Sequence, residues 1–343
     1  LKKYKTFKIM EVCGTHTMAI AKYGLRQLIP ENIELISGPG CPVCVTPVED
    51  IDNIISIIQK YGVVLFTFGD LMRVPGTNSS LMLEKSRGKN IKVCYSPADA
   101  LIYARKNSKE NILLAAIGFE TTAPLTAILI KEAYDKNISN FFIFSTHKTV
   151  PPALNTLLMD KNIEIGGFLL PGHVSSVIGT KMYENIVSKF GIPSVVSGFE
   201  PEHILKSIYL ILKQIKLCKP EVKIQYSSVV KPDGNPVALN YINEVFEAAD
   251  TKWRGLGVIP KSGLELKKLF SSFDAKKVFP VDKIISKEPK GCDCGKILKG
   301  IKKPTDCKQF LKKCTPDKPL GACMVSSEGT CAAYFKYLKK INN

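Results

Sequence analysis

Six of the eleven cysteines lie in the last 52 residues of this 343-residue chain, close enough to one another to share a site. A cubane [4Fe-4S] cluster needs four thiolates, and one set has a suitable x14, x6 and x16 spacing: Cys292, Cys307, Cys314 and Cys331. Cys294 and Cys323 would then remain as a possible redox pair. Residues 290–343 carry twelve lysines and four acidic residues, and positive surroundings favour thiolates and an anionic cluster.

Two other interpretations of these cysteines stay open. A structural zinc site prefers short Cys-x2–4-Cys pairs, and residues 291–343 contain none, since Cys292-Asp-Cys294 is too tight. The thiols could also be inert and buried, or joined in disulfides. We expect a reducing compartment, where clustered cysteines more often bind metals or carry out redox chemistry.

Two more cysteine motifs lie near the amino terminus. Cys13 and His16 form Cys-x2-His, and Cys41 and Cys44 form Cys-x2-Cys, which together are a zinc-like set. The second motif also fits a thiol–disulfide pair, because it follows a predicted strand and precedes a predicted helix, whose N-terminus lowers a thiol pKa. A pair of core cysteines in a tight turn is the third possibility.

Several polar residues in other turns are candidates as well. Glu120, Thr121 and Thr122 could bind a ligand through hydrogen bonds, or merely cap the helix predicted from residue 123. His147 and His173 could be acid–base groups or metal ligands, or could have a structural role only.

These candidates are positioned by a repeated unit of apolar strand, polar turn and amphipathic helix. The predicted strands are 33–37, 63–68, 91–95, 112–117, 141–145, 166–170 and 194–197. The predicted helices include 48–60, 123–136, 181–190 and 237–249. Alternating strands and helices indicate an α/β fold with parallel sheets, whose ligands bind at the carboxyl ends of the strands.

The chain therefore divides into three predicted parts. Residues 1–135 form an α/β lobe with the thiol motifs, residues 136–260 form a second α/β lobe, and residues 261–343 form a C-terminal iron–sulfur domain. Both lobes are predicted to be Rossmann-like. The boundaries are approximate, and the lobes can interleave.

The net charge of +17 comes from 43 lysines and only 5 arginines, scattered along the chain. Because base recognition and bidentate phosphate contacts favour arginine, we expect a solvated basic surface and no nucleic-acid partner. No apolar run is long enough to span a membrane, and we expect no secretion signal. We expect a cytoplasmic protein.

Five motifs closely resemble those of the HypD family of hydrogenase maturation proteins. They are Glu-Val-Cys-Gly-Thr-His-Thr (11–17), Gly-Pro-Gly-Cys-Pro-Val-Cys (38–44), Gly-Phe-Glu-Thr-Thr-Ala-Pro (118–124), Pro-Gly-His-Val (171–174) and Met-Val-Ser-Ser-Glu-Gly-Thr-Cys-Ala-Ala-Tyr (324–334). The resemblance implies two α/β lobes, a cluster domain similar to ferredoxin:thioredoxin reductase, and a [4Fe-4S] cluster on Cys292, Cys307, Cys314 and Cys331. It also implies that Cys13 binds iron and that Cys41 and Cys44 are a redox pair.

The function implied by the resemblance is a scaffold for assembling the Fe(CN)2CO unit of nickel–iron hydrogenases. Its partners would be a HypC-type chaperone and a HypE-type cyanide donor, and alone it would be a monomer. Electrons could pass from the cluster through Cys294/Cys323 and Cys41/Cys44 to the transient iron. Groups that could bind cyanide or support the ligands are His16, Glu120, Thr121, Thr122 and His173.

Two other functions compete with this one. A freestanding disulfide reductase of the ferredoxin:thioredoxin type would also need the cluster, but would hold no iron–cyanide unit. A zinc-stabilised binding module would need neither.

Overall fold

The structure is a computed structural model that describes residues 6–282 and 284–341; the remaining residues of the predicted lobes and C-terminal domain lie outside it. Its strands are β1 (Phe7–Glu11), β2 (Ile33–Ser37), β3 (Val64–Thr67), β4 (Ile91–Val93), β5 (Ile112–Ala116), β6 (Phe141–Ser145), β7 (Gly167–Pro171), β8 (Ser194–Ser197), β9 (Val222–Ile224), β10 (Phe246–Trp253) and β11 (Gly257–Leu266).

Most of the helices connect these strands. They are α1 (Gly14–Lys22), α2 (Leu25–Leu28), α3 (Pro42–Val45), α4 (Val48–Tyr61), α5 (Leu81–Ser86), α6 (Ala98–Lys106), α7 (Ala123–Asp135), α8 (Val150–Met159), α9 (Gly172–Ile178), α10 (Lys181–Phe190), α11 (Pro201–Lys216), α12 (Pro236–Val245), α13 (Ala275–Val278), α14 (Cys294–Leu298), α15 (Ala322–Val325) and α16 (Thr330–Ile341). Short 3-10 turns occupy Gly69–Leu71, Lys268–Phe273 and Pro304–Asp306.

The strands form two parallel sheets and one antiparallel hairpin. The first sheet has the order β2-β1-β7-β8-β9, the second has the order β4-β3-β5-β6, and β10 pairs with β11. Strands such as β5, β6 and β7 are buried along their whole length, because helices cover both faces of a parallel sheet. The prediction of an α/β fold with parallel sheets is confirmed, and all seven predicted strands are present to within two residues at each end.

The two sheets interleave along the chain. β1 and β2 pair with β7 in the first sheet, whereas β6 completes the second sheet with β3, β4 and β5. The chain thus leaves the first sheet after β2, builds the second sheet, and returns through α8 to β7. Residue 135 therefore does not separate the sheets as the predicted boundary supposed, and residue 260 lies inside β11.

The predicted helix over 237–249 is wrong in its last turn. Helix α12 ends at Val245, and Phe246 has extended φ and ψ angles of −107° and 154° where it begins the hairpin. Ala248 and Ala249 pair with Leu264 and Gly263 across the hairpin, so long-range pairing overrides a local pattern that fits either structure. Strand β1 was not predicted, although it lies inside the first sheet.

The hairpin packs against the second sheet through Trp253. This side chain is fully buried, its ring stacks 5.9 Å from the ring of Phe119, and its Nε1–H donates to Ser262 Oγ at 2.8 Å. The backbone N–H of Thr149, just after β6, donates to the Ser262 carbonyl at 2.9 Å. The hairpin is therefore part of the core.

The C-terminal residues fold onto the first sheet. Helix α16 packs along α1, the Arg26 guanidinium lies 5.2 Å from the Tyr334 ring, and Lys303 forms an ion pair with Glu34 at 2.8 Å.

Two further cysteines lie outside the motifs: Cys94 is buried after β4, whereas Cys218 is exposed after α11. Within the described ranges, the helices are too short or too polar to cross a membrane.

Replacing Trp253 by Ala should lower the free energy of unfolding by about 3–5 kcal/mol, because it leaves a cavity between the hairpin and the sheet. Urea denaturation followed by circular dichroism measures this loss. Val258, on the same hairpin, is 64% exposed, and Val258→Ala should change the free energy by less than about 0.5 kcal/mol. Equal losses in both variants would show that the hairpin is not anchored by Trp253.

Candidate metal and redox site

The six C-terminal cysteines line one small cavity. Helix α14 positions Cys294, the turn Pro304–Asp306 leads into Cys307, and α16 positions Cys331 near its N-terminus. The rest of the lining is mainly apolar and includes Ile297, Phe310, Leu320 and Met324. Five of the six thiols are buried, and Cys292 is partly exposed. The sequence therefore brings all six thiols into one apolar enclosure.

The donor set of this cavity fits a multi-iron cluster. Each iron of a cubane cluster takes one thiolate, so four thiolates must surround a volume, whereas a single zinc ion needs its ligands around one point. The thiols that would hold a cluster are Cys292, Cys307, Cys314 and Cys331.

Burial makes two of these thiols poor acids without a metal. It raises the pKa of Cys314 and Cys331, and neighbouring cysteines add to the effect. A bound metal would replace the protons, because thiolates are the ligands. The N–H of Leu320 also donates to Cys314 Sγ at 3.3 Å, which fixes the direction of that thiol.

The other two cysteines of the cavity are in contact with each other. The sulfur atoms of Cys294 and Cys323 are 2.6 Å apart. Cys323 lies in α15, and the turn after α15 folds back at Gly329, where an added Cβ would lie 2.2 Å from the Cys323 carbonyl oxygen. The contact between Cys294 and Cys323, the predicted redox pair, therefore depends on a turn in which position 329 must be glycine.

Cys41 and Cys44 form a disulfide with a Cα–Cα distance of 5.2 Å. Cys41 is the N-cap of α3, and its sulfur accepts the Cys44 N–H at 3.1 Å. Ser326 Oγ lies 3.3 Å from Cys41 Sγ and donates to the Asp70 carboxylate at 3.0 Å. The residues just after α15 thus contact the disulfide directly.

Cys13 lies between β1 and α1, at the carboxyl end of a strand in the first sheet. Gly40 packs on its backbone, since an added Cβ there would lie 2.3 Å from Cys13 N. Thr15 Oγ1 donates to Glu328 Oε1 at 2.8 Å. Burial, followed by the nearby Glu328 carboxylate, raises the pKa of Cys13 to about 11.

A stack of three rings lies beside Cys13. The Phe199 ring is 4.9 Å from the ring of His16 and 4.1 Å from that of His173. His16 is fully buried, its Nε2 is 3.0 Å from the Gly198 carbonyl, and burial lowers its pKa to about 4. Because a carbonyl only accepts, Nε2 carries the proton, which leaves the buried Nδ1 as an acceptor with no hydrogen-bond partner in the described part of the chain. Phe199 was not predicted as a site residue, although its Gly-Phe-Glu-Pro turn follows a strand.

Glu120 is buried at the end of β5. One carboxylate oxygen accepts the Val150 N–H at 2.9 Å, and the other has no hydrogen-bond partner within residues 6–282 and 284–341. Burial raises the pKa of Glu120 to about 7. Glu120 and Cys13 both act electrostatically on the buried Tyr183 hydroxyl, whose pKa burial raises. Tyr183 therefore lies within electrostatic range of two residues that follow strands of different sheets.

Three other candidates contribute less to this cluster. Thr121 and Thr122 are exposed, and the Thr122 hydroxyl donates to the Phe119 carbonyl at 3.3 Å and forms no cap bond to α7. His147 faces the hairpin, with its ring 5.8 Å from that of Phe246 and its Nδ1 3.3 Å from Ser145 Oγ. Burial lowers its pKa to about 3, so its ring is neutral at physiological pH.

Glu120→Gln should remove one component of the pH dependence of stability. The folded state holds a proton on Glu120 up to a pKa of about 7, against 4.5 for an ordinary glutamate. The stability that this proton contributes should therefore fall as the pH rises from 4.5 through 7, by up to about 3 kcal/mol. The buried His16 and His147 act in the opposite direction in both proteins, so the fall is seen in the difference in stability between wild type and Glu120→Gln. Urea denaturation of both proteins at pH 5 and pH 8 measures this difference. The surface variant Glu184→Gln should behave as wild type, and a difference between wild type and Glu120→Gln that does not change with pH would contradict the assignment.

Comparison with known proteins gives a consistent result. The family model described as "HypD: Hydrogenase formation hypA family" matches residues 1–338. The hydrogenase maturation factor HypD2 of Bradyrhizobium diazoefficiens is 44% identical over 341 residues, which cover 97% of this chain and 90% of that protein. HypD of Rhodobacter capsulatus is 45% identical over 338 residues, with 97% and 90% covered. A putative hydrogenase expression/formation protein of Methanocaldococcus jannaschii is 44% identical over 336 residues, with 98% and 93% covered. The chain belongs to the HypD family of hydrogenase maturation proteins.

Proposed function

We propose that this protein is a scaffold and redox component for assembling the Fe(CN)2CO unit of nickel–iron hydrogenases. Its relatives carry the name hydrogenase maturation factor. One observation carries the finer proposal: a short segment, residues 323–328, touches all three cysteine sites. Cys323 contacts Cys294, Ser326 contacts Cys41, and Glu328 binds Thr15 beside Cys13.

Iron, the cargo of the scaffold, binds at Cys13 in this proposal. Low-spin iron with cyanide and CO suits a soft thiolate, and a cysteine of a HypC-type chaperone would add a second ligand. Because burial and Glu328 raise the pKa of Cys13, iron binding must displace the thiol proton. Cys13 is 9% exposed, so a docked partner can reach it only at its edge.

The two histidines near Cys13 differ in whether they can donate a hydrogen bond to a cyanide ligand. Cyanide nitrogens, delivered from a HypE-type donor, need hydrogen-bond donors. His16 donates from Nε2 to Gly198, so its Nδ1 cannot donate to cyanide in this tautomer and instead serves as an acceptor beside Cys13. His173 is exposed and stacks on Phe199, so the one N–H of its neutral ring can donate to a cyanide nitrogen.

Cys292, Cys307, Cys314 and Cys331 hold the resident [4Fe-4S] cluster. When bound, such a cluster supplies single electrons. The thiol pairs of the chain handle electrons two at a time, since a disulfide takes up two electrons and two protons to become two thiols. Helix α15 contains Cys323, and it is followed directly by Ser326, which contacts Cys41. The pairs Cys294/Cys323 and Cys41/Cys44 therefore lie at opposite ends of this single helical turn.

A freestanding disulfide reductase is the second candidate function. The disulfide at the N-cap of α3, close to a cysteine-lined cavity, favours it. This function needs neither cyanide nor CO at Cys13, so vibrational spectra separate the two candidates.

Infrared spectra of protein purified anaerobically with a HypC-type partner should contain cyanide and CO stretching bands. Cys13→Ala should abolish these bands, because the iron loses its ligand from this chain. The control is Cys94→Ala, a buried thiol in the second sheet, which should keep them. Bands of equal strength in Cys13→Ala would refute iron binding there, and a wild type with a cluster but no bands would favour the reductase. Zinc without iron or sulfide would favour a binding module.

The double variant Cys41→Ser/Cys44→Ser should lose most of the cyanide and CO bands while keeping its cluster iron and sulfide. The redox pair is then absent, but the four cluster ligands are untouched. Infrared spectroscopy, combined with iron and sulfide analysis, measures both quantities. Cys218→Ser, at an exposed thiol, is the matched control. Normal bands in the double variant would exclude a role for the disulfide in assembly.

A further inference from the structure

Arg254 occupies the turn of the β10–β11 hairpin and binds the helix that carries the disulfide. Its backbone N–H donates to the Val45 carbonyl at 2.8 Å, and its Nε–H donates to the Thr46 carbonyl at 2.9 Å. Both carbonyls lie within two residues of Cys44. The hairpin turn is therefore attached to α3 by two hydrogen bonds from one residue.

The same turn touches the cavity that contains six cysteines. Gly255 has a φ of +80°, and an added Cβ would lie 2.4 Å from the Gly295 Cα atom. Gly295 directly follows Cys294 in α14. Because only glycine permits this approach, the backbone next to Arg254 packs on the backbone next to Cys294. Arg254 thus lies between the two thiol pairs.

The guanidinium of Arg254 is buried and only partly paired. The residue is 2% exposed, and its Nη1 donates to Glu288 at 2.8 Å, while its Nη2 has no hydrogen-bond partner among the described residues. The Glu288 side chain is 54% exposed, so water screens its charge. An incompletely compensated buried cation is costly, which indicates that another negative charge belongs nearby.

The cysteine cavity is the site that lies next to this cation. Gly295, on which Gly255 packs, directly follows Cys294, and Cys292 and Cys294 both line the cavity. The charge of Arg254 also acts on both thiols. The guanidinium therefore lies within electrostatic range of the sulfur atoms at this end of the cavity.

We propose that Arg254 is the counter-charge of the anionic cluster site and raises the reduction potential of the cluster. This inference rests on the proposed function. Reduction adds a negative charge to the cluster, and a nearby fixed cation stabilises the reduced form more than the oxidised form. Arg254 touches no reacting atom, so it acts as a positioning residue that sets the potential.

The potential can be measured on the full chain after anaerobic reconstitution with iron and sulfide, by a redox titration followed by electron paramagnetic resonance. Arg254→Gln should shift the potential to more negative values. Arg254→Lys keeps the positive charge and should shift it less. Glu288→Gln removes the charge that opposes Arg254 and should shift it to more positive values. A purely structural role would not reverse the sign between the two neutralising variants.

Two controls keep the result interpretable. Trp253 is the one tryptophan of the chain, so its emission spectrum shows whether the hairpin keeps its place in Arg254→Gln. If that variant misfolds, Glu288→Gln alone decides the question, because Glu288 is largely exposed. Unchanged potentials in the variants would overturn the inference, and so would shifts of the same sign in Arg254→Gln and Glu288→Gln. The proposed function would still stand in that case, because the wild type carries the cluster. A wild type that binds no cluster would overturn both.

Discussion

The turn between α15 and α16 is the constraint on which the whole site depends. Gly329 has no room for a side chain because Cys323 lies directly against it. The chain therefore reverses within a few residues and directs Cys323, Ser326 and Glu328 to three different neighbours. A wider turn would lengthen the path between the thiol pairs and would separate Glu328 from Thr15. The close backbone contact thus holds the cysteine sites at their mutual distances.

The interleaved sheets supply the other half of the site. The ends of β1, β7 and β8 deliver Cys13, His173 and Phe199, whereas the end of β5 in the second sheet delivers Glu120. Because the chain crosses between the sheets twice, the carboxyl ends of both sheets can meet. The buried Tyr183 hydroxyl lies within electrostatic range of both Glu120 and Cys13. The site would not form from either sheet alone.

The sequence predicts local features of this protein better than distant pairings. The cysteine motifs and the apolar strands are contiguous signals, so Cys13, Cys41 and Cys44 could be identified and the seven strands located. The partition of the strands between sheets depends on pairing across more than a hundred residues, as between β1 and β7. Asp70 and Arg254 have roles that arise only from their distant partners Ser326 and Thr46. No local pattern distinguishes them from other polar turn residues.

The charges of the site are distributed unequally, and this asymmetry has a chemical consequence. A buried arginine lies beside the cavity that would hold an anionic cluster, whereas a carboxylate lies beside Cys13. Positive surroundings favour electron uptake at the first position. At the second, burial and the carboxylate raise the pKa of Cys13 to about 11 and so disfavour a free thiolate. A metal cation that binds there, as the proposed function requires, must therefore displace the thiol proton.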